Sequence, residues 1–256
     1  MKIKKIIFLA LTFLAALQTS CADHHEDKRV FELRIYQASE GRRPELEARF
    51  RDHTSKFFKK HGIESVGFWI PAKESDNRFI YILSHASRQS RSETWKSFKA
   101  DPEWKTVFKA SKVNGKLVDQ IESRFMTATD YFPSIKSVVS DPERVFELRI
   151  YTAKEGLLPN INNRFRDATI PLFKKHGIQI IGFWNLMDDQ ERADRTLIYM
   201  LAHDSREAAK ASWESFLEDP EWIAAKAASQ EGIGRLIIEK GINRTYLNPL
   251  DFSPIK

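Results

Sequence analysis

The chain of 256 residues contains the same seven residues, VFELRIY, at positions 30–36 and again at 145–151. Further matches follow in the same order: FKKHGI at 58–63 and 173–178, GFW at 67–69 and 182–184, and DPEW at 101–104 and 219–222. The distance between the copies is far greater than the period of roughly 20–50 residues that marks a solenoid. The chain therefore contains two copies of one domain, and its fold must accommodate both copies.

The boundaries of the copies follow from the repeated segments. We expect the first copy at residues 29–132, the second at 144–252, and between them a linker at 133–143 that is rich in Pro, Ser and charged residues. The second copy carries a short insertion between Trp184 and Leu197. Because an insertion costs least in a loop, this segment is predicted to connect two strands.

Each copy predicts the same series of elements. VFELRIY alternates apolar and polar residues, as a strand does. A helix follows, with Leu46, Phe50 and Phe57 on one face and Gly62 as the residue that ends it. The segments ESVGFWI and RFIYILSH predict two strands, a second helix is interrupted at Asp101, and a last strand lies near 118–127. The order β-α-β-β-α-β predicts an α+β, ferredoxin-like domain with both helices on one face of an antiparallel sheet.

One such sheet leaves its other face uncovered, and the second copy can cover it. We therefore expect two tandem ferredoxin-like domains that pack sheet to sheet as an intramolecular barrel. With FELRIY, KKHGI, GFW and DPEW in this order, both copies resemble the NIPSNAP family. The resemblance implies a dimeric α/β-barrel fold, whose relatives include cofactor-free and haem-using oxygenases, and it implies no settled chemistry. No cofactor is expected.

The period of two divides each strand into two faces. In the repeated heptad we expect Phe31, Leu33 and Ile35 to pack on the helices, and in the third strand we expect Ile80 and Ile82 to do the same. The polar and aromatic residues are then predicted to line a ligand site between the two sheets. They are Glu32, Arg34, Tyr36, Trp69, Tyr81 and His85 in the first copy and Glu147, Arg149, Tyr151, Trp184, Tyr199 and His203 in the second.

Two interpretations of this polar face stay open. The aromatic residues can form the walls of a pocket, with arginine as the anchor for an anionic group. Alternatively, the Glu–Arg pairs satisfy each other and fix the register of the strands or tie the sheets together. His85 and His203 end their strands near the predicted mouth of the barrel. They are the candidate catalytic residues, as general bases, although a lone histidine at a strand end is more often simply hydrogen-bonded.

Several classes of function find no support in the sequence. Cys21 is the only cysteine, so the domains contain no disulfide, thiolate nucleophile or cysteine metal site. The sequence has no Gly-rich phosphate loop, HExxH or nucleophile elbow, and no metal site is expected. Charges of both signs are interspersed, so nucleic acid is not an expected partner.

The first 22 residues predict a signal peptide, because a basic start precedes a short apolar run and a small-residue exit. Cleavage after Ala22 would give a soluble product. Cleavage before Cys21 would give a lipoprotein, since LQTSC resembles a bacterial lipobox apart from Gln18. The solitary cysteine favours lipidation at Cys21. We expect an exported protein, periplasmic, membrane-anchored through that lipid alone, or secreted.

Three functions remain open from the sequence. The first is a protein that binds a small organic ligand, aromatic or anionic, between its two sheets. The second is a cofactor-poor enzyme of the oxygenase or isomerase type. The third is a structural or partner-binding protein whose barrel is filled. A cavity between the sheets would favour the first two, and a filled interior would favour the third.

Overall fold

A computed structural model describes residues 27–132, 135 and 144–256. The predicted signal peptide at 1–22, with Cys21, lies outside the described residues, as does the predicted linker at 133–143 apart from Ile135. Within the described ranges, no helix is both long enough and apolar enough to cross a membrane.

The two halves contain the same elements in the same order. The first half contains β1 (Val30–Ala38), α1 (Arg43–Arg49), a π-helical turn (Phe50–Thr54), α2 (Ser55–Lys60), β2 (Glu64–Pro71), β3 (Arg78–His85), α3 (Arg88–Ala100), α4 (Pro102–Ala110) and β4 (Val118–Ala128). The second half contains β5 (Val145–Ala153), α5 (Leu158–Arg164), a π-helical turn (Phe165–Thr169), α6 (Ile170–Lys175), β6 (Gln179–Leu186), a 3-10 turn (Ala193–Arg195), β7 (Thr196–His203), α7 (Arg206–Glu218), α8 (Pro220–Ala228) and β8 (Ile237–Pro249). The predicted α+β class and β-α-β-β-α-β order are confirmed.

Local sequence explains where the helices begin and end. Gly62 follows α2 with a φ of +71°, a left-handed conformation that glycine adopts without the steric cost of a Cβ atom. The Asp101 carboxylate accepts hydrogen bonds from the backbone N–H groups of Glu103 and Trp104, so it caps α4 at the interruption that the sequence predicts.

The eight strands form one closed barrel in the order β1-β3-β2-β8-β5-β7-β6-β4. Each half supplies a four-stranded ferredoxin-like sheet, and the sheets join where β2 pairs with β8 and β4 pairs with β6. All neighbouring strands are antiparallel. Closure leaves neither sheet with an unpaired edge, which confirms the predicted intramolecular barrel.

Strand direction places the equivalent loops of the two halves at the same end of the barrel. β1 and β5 lie four strands apart around the barrel. Since every step between antiparallel neighbours reverses the direction, four steps restore it, and β1 and β5 run the same way. The pseudo-twofold axis that relates the halves therefore runs along the barrel.

An apolar cluster drawn from both sheets occupies the inside of the barrel. It consists of Phe31, Leu33, Val66, Trp69, Ile80, Ile82 and Met126 with Phe146, Leu148, Trp184, Leu186, Ile198, Met200, Ala202, Leu247 and Ile255. Gly67 makes room for this packing, because a Cβ atom there would lie 2.3 Å from the Trp69 ring. Trp69 and Trp184 thus lie inside the barrel, the side expected for them.

The face assignment is wrong for β1, β3, β5 and β7. Phe31, Leu33, Ile80 and Ile82 lie inside the barrel, not against the helices. The residues that face the helices instead are Glu32, Arg34, Tyr36, Tyr81 and His85 and their counterparts Glu147, Arg149, Tyr151, Tyr199 and His203. Both faces of each sheet are buried. Alternation therefore divides the residues of a strand into two sets, but it does not show which set faces the helices and which faces the barrel interior. The helix layer takes the polar set because it supplies hydrogen-bonding partners, whereas the same positions turned inward would meet the apolar cluster.

Candidate functional site

The Glu32 carboxylate lies at the centre of a buried polar network between β1 and α3. Arg34 Nη1 donates to it at 2.5 Å, Arg91 donates through Nε and Nη2 at 2.9 and 2.8 Å, and Ser123 Oγ donates at 2.6 Å. His85 Nε2 lies 3.4 Å away. Burial by itself raises the pKa of the Glu32 carboxyl, but the contacts of His85 and Arg91 and the charge of Arg34 outweigh burial and hold the pKa well below its ordinary value. Glu32 is therefore a buried counterion for two arginines.

The second half builds a related network around Glu147. Arg149 Nη1 donates to this carboxylate at 2.7 Å, His203 Nε2 lies at 3.2 Å, and the indole Nε1 of Trp213 donates at 2.8 Å. Burial raises the pKa of Glu147, and the contacts of His203, Arg149 and Trp213 lower it by more, so the carboxyl stays ionised. Glu–Arg pairs form in both halves, but each lies within one strand and joins neither neighbouring strands nor the two sheets. Arg91 in the first half and Trp213 in the second connect the carboxylate to the helix layer.

His85 and His203 are sealed inside these networks. The exposed fraction of each side chain is 1%. Neither histidine lines any of the three cavities described below. A general base must come within hydrogen-bonding distance of its substrate, so this placement does not support the catalytic role considered for them.

Arginine and tyrosine side chains continue the network toward a cavity. Arg34 Nε donates to the Tyr81 hydroxyl at 2.8 Å and Nη2 to the Tyr36 hydroxyl at 3.2 Å, and the guanidinium lies 4.7 Å from the centre of the Trp95 ring. In the second half, Arg149 Nη2 donates to Tyr151 at 3.0 Å. Burial raises the pKa of Tyr81 well above its ordinary range, so this phenol stays neutral.

A cavity lies between the sheet and the helices in each half, and both volumes fall in the range typical of ligand sites. The first cavity, of about 510 Å³, is lined by Arg34, Tyr36, Arg49, Phe50, Thr54, Phe58, Arg91, Trp95, Phe98, Lys99, Trp104, Lys105, Phe108, Lys112, Lys116, Leu117, Val118 and Ile121. The second cavity, of about 560 Å³, is lined by Arg149, Tyr151, Arg164, Phe165, Thr169, Phe173, Tyr199, Trp213, Phe216, Leu217, Trp222, Lys226, Gln230, Arg235, Leu236, Ile237, Ile242 and Arg244. Neither lining contains an acidic residue.

Arg49 and Arg164 are the residues of these cavities that the sequence interpretation missed. Arg49 is 8% exposed, its Nη1 donates to Ser111 Oγ at 3.3 Å, and its Nε has no hydrogen-bond partner among the described residues. Arg164 repeats this arrangement with Ser229, also at 3.3 Å. Burial lowers the pKa of both guanidinium groups, and no carboxylate opposes that effect. Each cavity thus contains a cation that has no counterion among the described residues, buried in the case of Arg49 and partly buried in the case of Arg164.

A π-helical turn follows each of these arginines. Thr54 Oγ1 donates to the Arg49 carbonyl at 3.2 Å and Thr169 Oγ1 to the Arg164 carbonyl at 3.1 Å, five residues back in each case. The wider turn shifts the phase of the helix, so Phe58 is fully buried in the core, while the predicted Phe57 packs against the same core partly buried. Turns of this kind are frequent at functional sites. The tetrapeptide RFRD, identical at 49–52 and 164–167, is the sequence signal that could have pointed to them.

A third cavity, of about 680 Å³, lies between the sheets at one end of the barrel. Its lining is mostly polar and includes Ser123, Thr196 and Asn243. None of the residues predicted for a site between the sheets lines it. Those that line a helix-side cavity instead are Arg34, Tyr36, Arg149, Tyr151 and Tyr199. In the ranges that the structure describes, no cluster of His, Cys, Asp or Glu side chains could hold a metal ion.

Comparison with known proteins matches both halves to one family. The NIPSNAP family model matches residues 31–133 and 146–254. No curated protein matches the chain in sequence.

Some solved structures resemble nearly the whole chain, and others resemble a part of it. A proposed monooxygenase from Lactobacillus acidophilus is 10% identical, with a TM-score of 0.57, over 87% of this chain and 94% of that one. An anthrone oxidase-like protein is 10% identical, with a TM-score of 0.54, over 90% of this chain and 95% of that one. A NIPSNAP domain protein from Burkholderia xenovorans is 19% identical, with a TM-score of 0.37, over 41% of this chain and 99% of that one. The two longer matches show that the whole barrel fold is shared.

Proposed function

The chain belongs to the NIPSNAP family, and we propose that it binds small organic anions with an aromatic or apolar body. The proposed sites are the two cavities between the sheets and the helices. The observation that supports this proposal most directly is the arginine without a carboxylate partner in each cavity, the buried Arg49 in the first and the partly buried Arg164 in the second.

An unpaired buried guanidinium destabilises the free protein, and a bound anion would remove that cost. Burial of a charge without a partner is unfavourable, as the lowered pKa of Arg49 reflects. A carboxylate or sulfonate accepts charge-assisted hydrogen bonds from a guanidinium, and these are the strong ones. The absence of acidic residues from both linings means that no side chain of a cavity would repel such a ligand.

The walls of each cavity favour a flat apolar body. In the first cavity, Phe50 and Phe58 meet edge to face with ring centres 6.2 Å apart, and Phe98 lies 4.5 Å from Trp104. The equivalent rings Phe165 and Phe173 are 6.3 Å apart in the second. Aromatic walls of this kind bind aromatic ligands by burying area and by ring-to-ring contacts.

The other two functions that the sequence left open have less support. Two proteins that share the barrel are named as a proposed monooxygenase and as anthrone oxidase-like, but a shared fold does not establish an activity. A base that could reach a substrate is missing from the predicted set, because His85 is sealed and the Tyr81 phenol has a raised pKa. The apolar cluster inside the barrel, which leaves only the polar cavity at one end in the described part of the chain, supports the idea that the barrel itself is structural, while the helix-side cavities remain for ligands.

Calorimetric titration with naphthalene-2-carboxylate tests the proposal, with the neutral naphthalene-2-carboxamide as the matched ligand. We expect two carboxylate ions per chain and much weaker binding of the amide. The variant Arg49→Gln/Arg164→Gln should weaken carboxylate binding at least about tenfold, since each site loses a hydrogen bond to a charged group. Arg51→Gln is the control, because Arg51 lies on the same helical turn but pairs with Asp251 at the surface. Equal affinity for the acid and the amide, or no binding of either, would refute the proposal.

Export is proposed on the sequence alone. Cleavage after Ala22 would remove residues 1–22 as a signal peptide, whereas on the lipoprotein route cleavage before Cys21 would remove residues 1–20 and leave Cys21 as the N-terminal residue that carries the lipid. The mass of the mature N-terminus, measured on protein purified from its source, distinguishes a lipidated Cys21 from a chain that begins after Ala22.

A further inference from the structure

The two helix-side cavities differ where their helices face the ligand space. Arg91 of α3 has Ala209 as its counterpart in α7, and Lys99 has Leu217. Outside the helices, Ser123 of β4 pairs opposite Arg34, whereas Arg244 of β8 pairs opposite Arg149. The duplication has therefore kept the arginine–tyrosine core of the site and changed its surroundings.

The exchange of Arg91 for Ala209 changes what the neighbouring tryptophan does. In the second half, Trp213 Nε1 donates to Glu147 at 2.8 Å. In the first half, Arg91 occupies Glu32 with two hydrogen bonds, and Trp95 Nε1 has no partner among the described residues. The indole donor is thus used for structure in one cavity and left free in the other.

The free donor in the first cavity is deeply buried. Trp95 is 6% exposed, and its side chain lines the first cavity. A buried N–H group without an acceptor is rare in folded proteins, and it costs free energy that a ligand oxygen would recover. Arg49 provides a second unpaired donor in the same cavity through its Nε atom.

Cations surround the Trp95 ring and make its neighbourhood attractive to an oxygen atom. Arg34, Arg91 and Lys99 lie 4.7, 5.0 and 5.6 Å from the ring centre. Around the equivalent Trp213 ring, the cation within this range among the described residues is Arg149, at 4.3 Å. The local positive potential in the first cavity favours an electron-rich group beside the indole.

We infer that the two cavities have diverged in specificity and that the indole N–H of Trp95 sets the difference. The inference rests on the proposed function. The first cavity selects aromatic acids that carry a second acceptor, a hydroxyl or keto oxygen, in addition to the acidic group. In the second cavity Trp213 Nε1 is occupied by Glu147 and Leu217 replaces a lysine, so that cavity offers no free indole donor to the second group.

Two probes separate these preferences: naphthalene-2-carboxylate and 6-hydroxynaphthalene-2-carboxylate. We expect the hydroxylated acid to bind the first cavity more tightly than the second, with Arg49→Gln and Arg164→Gln identifying which cavity gives which signal. Trp95→Phe should weaken the hydroxylated acid at the first cavity about fivefold, the value of one hydrogen bond, and leave the plain acid unchanged. Trp213→Phe is the matched control: it should change neither probe at the first cavity, while lowering the melting temperature through the loss of a donor to Glu147.

A measurement on the wild-type protein tests the inference even if the Trp95→Phe variant fails to fold. With 15N-labelled tryptophan, the indole N–H resonance of Trp95 should move on addition of the hydroxylated acid and move much less with the plain acid. Trp95→Phe that weakens both probes equally or neither, or an indole resonance that does not distinguish them, would overturn the inference while leaving the proposed function intact. If neither probe binds the wild-type protein, the proposed function itself fails.

Discussion

His61 Nε2 lies 2.8 Å from the Asp101 carboxylate and joins the end of α2 to the start of α4. Nδ1 of the same ring lies 2.8 Å from Ser97 Oγ, and Lys60 Nζ lies 2.9 Å from Asp101. The second half repeats the arrangement with His176, whose Nε2 lies 2.7 Å from Asp219. Since Asp101 also caps α4, the repeated KKHG segment fastens the helices to one another.

The first prediction concerns the effect of low pH on the stability of this helix junction. The hydrogen bond from Lys60, followed by that from His61, holds the pKa of Asp101 below its ordinary value, and Asp219 behaves likewise through Lys175 and His176. A carboxyl with a lowered folded-state pKa stabilises the fold above its unfolded pKa of about 3.9 and loses that contribution as the pH falls further. Asp101→Asn/Asp219→Asn should therefore be less stable at pH 7 and lose less stability between pH 6 and pH 2. Urea unfolding across this range measures both effects, and parallel curves for variant and wild type would contradict the prediction.

The second prediction concerns the buried counterion of β1. Glu32→Gln leaves Arg34 and Arg91 without a carboxylate and should lower the free energy of unfolding by about 3–5 kcal/mol. Glu147→Gln should cost less, since Glu147 pairs with one arginine, Arg149. Glu122→Gln on β4 is the control: its side chain is 48% exposed, and the expected change is within about 1 kcal/mol. Urea unfolding ranks the variants, and equal losses for Glu32→Gln and Glu122→Gln would rule out this account of the network.

The third prediction concerns the filled interior. Gly67→Ala places a methyl group where 2.3 Å separates it from the Trp69 ring, so the ring must move within a packed cluster. We expect a loss of about 1–3 kcal/mol from overpacking. Trp69→Leu removes the obstructing ring, and the double variant should be more stable than the sum of the single losses predicts. Additive losses in this double-mutant cycle would show that the ring does not set the requirement for glycine.

The fourth prediction concerns the need for two copies. A fragment of residues 27–132 would expose Phe31, Leu33 and Trp69, which the second half covers, together with the unpaired edges of β2 and β4. It should dimerise to close the barrel or aggregate. Sedimentation velocity measures the oligomeric state of the fragment. A monodisperse monomer at micromolar concentration would contradict the prediction.

The position of the polar residues shows where sequence reasoning reached its limit. Alternation in VFELRIY correctly grouped Glu32, Arg34 and Tyr36 on one face and Phe31, Leu33 and Ile35 on the other. Both groups are buried, so the hydrophobic pattern contained no information about which layer each group faces. That choice depends on Arg91, Trp95 and Trp213, which are distant in sequence and supply the hydrogen bonds and ring contacts that make the helix layer the better environment for a carboxylate and a guanidinium.

The sequence by itself determined the duplication, the order of the elements and the closed barrel, because these follow from repeats, periodicity and helix-ending residues within each segment. It indicated the family through the resemblance of its repeated motifs. Tertiary structure alone decided that an apolar cluster occupies the barrel interior and that the two aromatic-lined cavities lie on the helix side. It also decided that Arg49 enters one of them, since the π-helical turn that follows this residue depends on the bond between Thr54 and the Arg49 carbonyl and on the packing of Phe58. The physical reason is that a sequence pattern shows only how a residue differs in polarity from its neighbours in the chain. The residues that it contacts in the folded protein lie far away in the sequence.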